Sequence, residues 1–113
     1  MRIPNLKWKI EYLSEIEQDL DNLNKQQLKS VTKELKLLEL CGNSLRLPHS
    51  RALGNGLLEL RERNFGYRIY YTFLENRVIV LLQVGDKSNQ QTDIRIAYTR
   101  LKKLEKHHEN QKF

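Results

Sequence analysis

Residues 56–73 read GLLELRERNFGYRIYYTF, and their apolar side chains recur with a period of two. Alternation of this kind predicts β-strands, which we place at residues 57–63 and 67–74, joined by Asn64-Phe65-Gly66. A third strand is predicted at residues 77–84, after the short connection Glu75-Asn76. That strand is apolar on both faces, which is typical of a central position. The stretch therefore predicts a three-strand antiparallel meander.

The residues before the meander predict one short strand and two helices. Residues 7–12 alternate polar and apolar, so Trp8, Ile10 and Tyr12 are expected to face inward. Ser14 is the expected N-cap of a first helix, and a second helix follows a break at residues 22–24. The second helix has an apolar stripe with the spacing that packs against a core. This stripe comprises Leu28, Val31, Leu35 and Leu38, widened by Leu37 and Leu40.

Two polar segments separate these elements from the rest of the chain. Residues 42–56 contain a proline and three glycines and are predicted to form a long loop. Residues 85–92 form a second loop, after which Thr92 or Asp93 caps a final helix, and residues 107–113 are expected to fray. The 113 residues predict a single α+β domain: an N-terminal strand and a helical hairpin on one face of an antiparallel sheet of about four strands, then a C-terminal helix.

The positive charge of the chain is concentrated in its second part. The first 42 residues hold seven Lys or Arg and seven Asp or Glu, so residues 43–113 carry all of the net charge of +6. This distribution indicates a polyanionic partner, either nucleic acid or an acidic protein surface, or else ordinary surface charge. The lone Cys41, which we expect to be a buried or half-buried helix residue, excludes an intramolecular disulfide.

The sequence carries no pattern that points to export, to a membrane or to a cofactor. The N-terminus lacks the apolar segment of a signal peptide and no run is long enough to span a membrane, so we expect a cytoplasmic protein. The histidines and the cysteine lack metal-ligand spacing, and no phosphate-binding glycine loop is present. We therefore expect neither a metal nor a cofactor.

Strand parity places the cations of the hairpin on one side of the sheet. Leu58, Leu60, Ile69, Tyr71 and Phe73 share the face that we expect to be buried against the helices. The opposite face is expected to be open, and Arg61 and Arg68 to be cross-strand neighbours whose repulsion a bound anion would relieve. Solvated Glu–Arg pairs are the alternative interpretation. The open face would hold Glu59, Arg61, Arg63, Arg68 and Tyr70, with His49, Arg51 and Lys87 converging from the loops.

Three motifs in this region resemble a known family. They are LPHSRALGNGLLELR at residues 47–61, GYRIYY at residues 66–71 and LLQVGDKSNQQTDI at residues 81–94. Together they are similar to the RelE/ParE toxin superfamily, in particular to the HigB-like addiction module toxins of phage and bacterial type II toxin–antitoxin systems. The resemblance covers residues 45–104.

The resemblance implies a metal-independent endoribonuclease that cuts mRNA, commonly on the ribosome, and that a helix-turn-helix antitoxin neutralises in a hetero-oligomeric complex. Arg61, Arg68 and Lys87 take the places of the family's active-site cations, which would stabilise charge on the scissile phosphate. A ParE-like inhibitor of DNA gyrase without nuclease activity, or an inactive member that binds only its antitoxin or operator DNA, are the alternatives.

The remaining site residues are expected to transfer protons or to bind RNA. Glu59 and His49 are the candidates for general base or acid. Tyr67 and Tyr70 would either stack a base or pack in the core. The predicted RNA-binding residues are Arg51, Arg63, Tyr70 and Gln90.

Overall fold

The computed structural model describes the backbone of residues 7–110 and the side chains of residues 7–107. Within that range the chain forms three α-helices and one five-stranded sheet, which confirms the predicted α+β class. The elements are β1 (Lys9–Tyr12), α1 (Ser14–Asp21), α2 (Lys25–Cys41), β2 (Ser50–Gly54), β3 (Leu57–Arg61), β4 (Arg68–Leu74), β5 (Val78–Gly85) and α3 (Gln90–Asn110). None of these helices is both long and apolar enough to cross a membrane.

The sheet is mixed, with the strand order β1-β5-β4-β3-β2. Strands β2 to β5 pair antiparallel, as the meander predicts, but β1 pairs with β5 in parallel. The sheet therefore has five strands instead of about four, and its β1–β5 pairing is parallel instead of antiparallel. Strand β5 is interior and buried on both faces, as its sequence predicts, although β4 occupies the middle of the sheet.

The strand that the sequence prediction missed is β2, within the predicted long loop. It lies at the edge of the sheet and contains no β-branched residue, so its composition resembles a loop. The β2–β3 turn places Asn55 at φ +53° and Gly56 at φ +88°. An Asn-Gly pair before an alternating strand is a strong hairpin signal, and it identifies this turn in retrospect.

Helices cover both faces of the sheet, so the expectation of helices on one face is wrong. Ile16 of α1 and Val31 of α2 pack against one face, whereas Ala97 and Leu101 of α3 pack against the other. Cys41 is half-buried at the edge of the first core, as expected. The first core also contains Leu38, Leu45, Leu60, Ile69, Tyr71, Ile79, Leu81 and Val84, and the second contains Leu57, Tyr70, Val80 and Leu82.

Between residues 12 and 40, the structure differs from the sequence prediction at three residues and confirms the predicted break between the two helices. Ser14 is the first residue of α1 rather than its cap, and its hydroxyl donates to the Glu15 carboxylate. Tyr12 is 49% exposed and Leu40 is 62% exposed, so neither belongs to the core. The break before α2 is confirmed, and Asn24 forms a capping box with Gln27 there, which satisfies backbone groups at both positions.

Helix α3 is longer than predicted at both ends. It begins at Gln90, because a short 3₁₀ turn at Lys87–Asn89 leads directly into it. Asp93 is therefore not a cap; its buried carboxylate accepts a hydrogen bond from Gln83 at 2.8 Å. The helix continues to Asn110, within the segment that was expected to fray, and residues 111–113 lie outside the described range.

Candidate functional site

The β3–β4 register pairs Arg61 with Arg68 and Glu59 with Tyr70. The loop between these strands has six residues, so the parity prediction that these four side chains share one face is confirmed. That face is not open, however, because α3 packs on it. Glu59 and Tyr70 are completely buried, whereas Arg61 remains partly exposed. Arg61 and Arg68 therefore lie at the border of the sheet surface that α3 covers.

Three arginines lie within 4 Å of the Glu59 carboxylate. Its Oε1 atom accepts a hydrogen bond from Arg68 Nη1 at 2.7 Å, and Arg51 Nη2 and Arg61 Nε lie 3.6 and 3.9 Å away. Its Oε2 atom accepts from Gln90 Nε2 at 3.1 Å. A buried carboxylate needs partners of this kind, since an unpaired charge in the interior is costly.

Four cations border a single small cleft beside Glu59. We call Arg61, Arg63, Arg68 and Lys87 the cation cluster; with Glu62, Gly66 and Tyr67 they line a cleft of about 110 Å³. Lys87 is exposed and belongs to the 3₁₀ turn after β5. The preceding Asp86 caps that turn by accepting from the Ser88 hydroxyl and backbone N–H, which lowers the pKa of Asp86. The predicted convergence of Lys87 with Arg61 and Arg68 is confirmed.

Glu62, which sequence reasoning missed, fixes the loop between β3 and β4. Its buried carboxylate accepts hydrogen bonds from the backbone N–H groups of Asn64, Phe65 and Tyr67 and from the Ser30 hydroxyl of α2. Burial alone would raise the pKa of Glu62, but these donors outweigh it and lower the pKa below its ordinary value. In the sequence, the only sign of this role is that Glu62 directly precedes a turn, where a carboxylate can accept hydrogen bonds from nearby backbone N–H groups.

Tyr70 is a core residue, and the predicted contact between its ring and RNA is wrong. The ring is completely buried in the core under α3. Its hydroxyl has no hydrogen-bond partner among the described residues, nor does Nε of Arg68. Burial, followed by the negative charges of Glu59 and Asp93, raises the pKa of Tyr70 to about 12. Tyr67 is half-buried against the core that faces α1 and α2, and it also lines the cleft.

The imidazole of His49 contacts α2 and not the cation cluster, although the His49 carbonyl accepts a hydrogen bond from the backbone N–H of Arg61 at 2.8 Å. The His49 Nδ1 atom is 3.1 Å from the Glu34 carboxylate of α2, which covers the opposite face of the sheet. The expected convergence of His49 with the cations is therefore wrong, whereas Arg51 and Gln90 do reach the cluster through Glu59. Position 49 immediately precedes β2, where strand alternation does not yet fix the side-chain direction.

No group of His, Cys, Asp and Glu side chains within the described part of the chain is arranged to hold a metal ion. The chemically distinctive feature of the site is instead its concentration of fixed positive charge. Planar guanidinium groups match the oxygens of a phosphate, and Lys87 adds a mobile point charge beside them. The arrangement is suited to binding an anion of phosphate size.

Residues 18–102 match the sequence profile of the family described as "Phage derived protein Gp49-like". The chain belongs to this Gp49-like family. No curated protein matches it significantly. Its structure is similar to that of a mutant E. coli toxin RelE in the free state, with a TM-score of 0.63 and 14% identity; the match covers 84% of this chain and 94% of RelE.

Two further solved structures share the fold of this Gp49-like chain. The archaeal RelE–RelB complex from Pyrococcus horikoshii gives a TM-score of 0.57 at 17% identity, covering 74% of this chain and 98% of the other. The Mycobacterium tuberculosis toxin–antitoxin complex RelBE2 gives 0.56 at 18%, covering 73% and 100%. At these identities the likeness establishes the fold. The fold is therefore the RelE-like fold that the sequence resemblance predicts.

Proposed function

We propose that this Gp49-like chain is the toxin of a type II toxin–antitoxin system and cleaves mRNA without a metal ion. The observation that carries the proposal is the convergence of Arg61, Arg68 and Lys87 on one cleft. Family and fold support it: the E. coli neighbour is described as a toxin and the M. tuberculosis neighbour as a toxin–antitoxin complex.

The cleft has the electrostatics that metal-free RNA cleavage needs. When a 2′-hydroxyl attacks the adjacent phosphate, its bond to phosphorus forms as the bond from phosphorus to the 5′-oxygen breaks. Water takes up the hydroxyl proton and supplies one to the departing 5′-oxygen, and negative charge builds up on the phosphoryl oxygens. Arg61, Arg68 and Lys87 stabilise that charge, and because Glu59 holds Arg68 in place, this guanidinium needs little reorganisation during the reaction. Each cation of this kind contributes about a hundredfold or more to the rate. Arg63, at the rim, attracts the RNA backbone.

Glu59 has a positioning role in this proposal. Both of its carboxylate oxygens are engaged, one by Arg68 and the other by Gln90, and the side chain is fully buried. It therefore orients Arg68 rather than reaching the substrate. His49 faces α2 instead of the cleft, so the proposal gives it no proton to transfer. Electrostatic stabilisation and positioning then supply the rate enhancement.

The proposed partners follow from this assignment. A cognate antitoxin of the helix-turn-helix type binds the toxin in a hetero-oligomeric complex and blocks it. The substrate is mRNA, bound to the ribosome in the cytoplasm. The excess of cations around the cleft favours a polyanionic substrate.

The test uses Lys87→Ala, because Lys87 is exposed and its removal leaves no buried charge unpaired. Purified protein, freed of metal by prior dialysis against EDTA, is added to a translation extract, and cleaved transcripts are mapped by primer extension. Wild type should cut mRNA, and Lys87→Ala should cut about a hundredfold more slowly at an unchanged melting temperature. Lys106→Ala, at an exposed position of α3, is the charge-matched control and should retain full activity.

Three results would contradict the proposal. Equal cleavage by Lys87→Ala and Lys106→Ala would remove Lys87 from the site. Intact transcripts with wild type, together with inhibition of gyrase supercoiling in a parallel assay, would establish the ParE-like alternative. Intact transcripts without gyrase inhibition would indicate an inactive antitoxin-binding member.

A further inference from the structure

Helix α2 carries four lysines on its outward side. Lys25, Lys29, Lys33 and Lys36, which we call the lysine ridge, are spaced by four, four and three residues and therefore share one side of the helix. Val31, on the opposite side, packs in the core. None of the four forms an ion pair with any residue that the structure describes. The ridge spans about 16 Å along the helix axis.

The ridge borders a groove of about 780 Å³ that ends at the loop between β3 and β4. Its lining includes Phe65, which is 45% exposed, and Leu28, which is 39% exposed, but no carboxylate. The loop is tied to α2, because Asn64 Nδ2 donates to Ser30 Oγ at 3.1 Å. The Phe65 backbone N–H donates to Glu62, so the ring is presented outward from a fixed backbone.

The groove is continuous with the cation cluster around this loop. Asn64 and Phe65 line the groove on one side and a second cleft on the other. That second cleft also contains Arg63 and Lys87, which in turn line the cleft of the cation cluster. Because the three neighbouring clefts share lining residues, together they form one continuous band on the surface. The band leads from Arg68 and Lys87, past the ring of Phe65, to the lysine ridge.

We propose that this band is a track for single-stranded RNA, which places one base on Phe65 and its phosphates along the lysine ridge. The inference rests on the proposed nuclease function and adds a binding subsite outside the catalytic cleft. Aromatic rings that stack bases, combined with rows of cations, are how proteins hold single strands without sequence readout. Continuity with the cation cluster favours RNA, because a strand whose scissile phosphate lies in that cleft must continue along the neighbouring surface.

The experiment measures binding of 2′-O-methyl oligoribonucleotides, which lack the attacking hydroxyl, by fluorescence anisotropy over a range of salt concentrations. A trinucleotide and a dodecanucleotide are compared. Wild type should bind the longer strand more tightly, and Phe65→Ala should weaken that binding about tenfold or more, whereas Phe65→Trp should preserve it. Lys29→Ala/Lys33→Ala should reduce the slope of log K against log salt by about 1.4, since each lost phosphate contact removes about 0.7.

The matched control is Lys102→Ala/Lys103→Ala, which removes the same charge from exposed positions of α3. Its salt slope should stay close to that of wild type. Equal slopes for the two double variants would overturn the track, as would unchanged dodecanucleotide affinity in Phe65→Ala. Binding of a glutamate-rich amphipathic peptide that depends on Lys29 and Lys33, without any effect on RNA, would also overturn it in favour of a protein partner.

Cleavage of mRNA by the same preparations separates this inference from the proposed function. If wild type cleaves mRNA but the ridge variants bind RNA like the control, only the track is wrong. If folded wild type neither cleaves mRNA nor binds either oligonucleotide, both proposals are wrong.

Discussion

The two basic regions of this protein differ in how their charge is balanced. Arg68, in the cation cluster, lies on a buried strand and donates directly to the buried Glu59. The lysine ridge lies on the solvent side of α2 and has no carboxylate partner in the described part of the chain. A cation in a sheet must be compensated within the fold, whereas a lysine on a helix surface remains hydrated.

The buried part of the cation cluster therefore contributes both to the stability of the fold and to activity, whereas the ridge contributes to RNA binding alone. Substitution of Arg68, the buried member of the cluster, should change the free energy of unfolding together with activity, whereas substitution of the exposed Lys87 should change activity alone. Substitutions on the ridge should change RNA binding alone. The predictions that follow test this contrast, from the largest expected effect on stability to the smallest.

Arg68→Ala should have the largest effect, because it leaves the buried Glu59 without its nearest partner. Breaking a buried pair costs about 3 kcal/mol or more, and the nearby Arg51 and Arg61 keep the loss at the lower end. Urea denaturation measures the change. Arg68→Ala/Glu59→Gln, which also removes the buried charge, should recover part of the stability but no RNA cleavage. A fully stable single variant would show that Glu59 is not the centre of the cluster.

Glu62→Gln should lower the free energy of unfolding by about 2 kcal/mol. The carboxylate accepts three backbone N–H groups and the Ser30 hydroxyl, and a neutral amide accepts these bonds more weakly. Cleavage should also fall, because the loop that this residue holds lies between Arg61 and Arg68. Glu75→Gln, in the exposed β4–β5 turn, is the matched control and should match wild type.

The same residue predicts a pH dependence of defined sign. The folded-state pKa of Glu62 lies below its ordinary value of 4.5, so its stabilisation is present above about pH 4.5 and disappears as pH falls through the folded-state pKa. The stability difference between wild type and Glu62→Gln should therefore shrink on acidification. A difference that stays constant from neutral pH to strongly acidic pH would contradict the hydrogen-bonded carboxylate.

Tyr70→Phe should change stability at neutral pH by less than about 1 kcal/mol, because the hydroxyl that it removes has no hydrogen-bond partner in the described structure. Since the pKa of Tyr70 is raised to about 12, the neutral form is favoured in the fold, and that stabilisation is lost as pH rises from 10 towards 12. Ultraviolet titration should lose its most alkaline tyrosine step in the variant. Loss of RNA binding by Tyr70→Phe would contradict the assignment of Tyr70 to the core.

Lys29→Ala/Lys33→Ala should have the smallest effect on stability, within about 0.5 kcal/mol of wild type. Both lysines are exposed and unpaired in the described structure, and alanine is a good helix former. Urea denaturation of this variant beside Arg68→Ala tests the contrast directly. A destabilisation comparable to that of Arg68→Ala would show that the ridge is structural after all.

Local sequence patterns predicted which strand residues face each other at the site, but they did not predict which elements pack around it. The alternation in β3 and β4 predicted that Arg61 and Arg68 lie opposite each other, which the register confirms. It did not predict that α3 covers Glu59 and Tyr70, because a strand pattern specifies two faces but not which elements will cover each. Glu62 was missed for a related reason, since its partners include Ser30, which is distant in the chain.

The sequence by itself determined that Arg61 and Arg68 of the cation cluster share a face, because side chains on a strand alternate with a fixed period of two. Only the tertiary structure decided that the lysine ridge lies beside it. The positive and negative charges of the first 42 residues cancel in number, but they are separated in the fold. Helix α1 carries acidic residues, whereas α2 presents its lysines to the groove. Contacts between residues far apart in the chain, such as that of Ser30 with Asn64, bring the two basic regions together, and no local pattern encodes them.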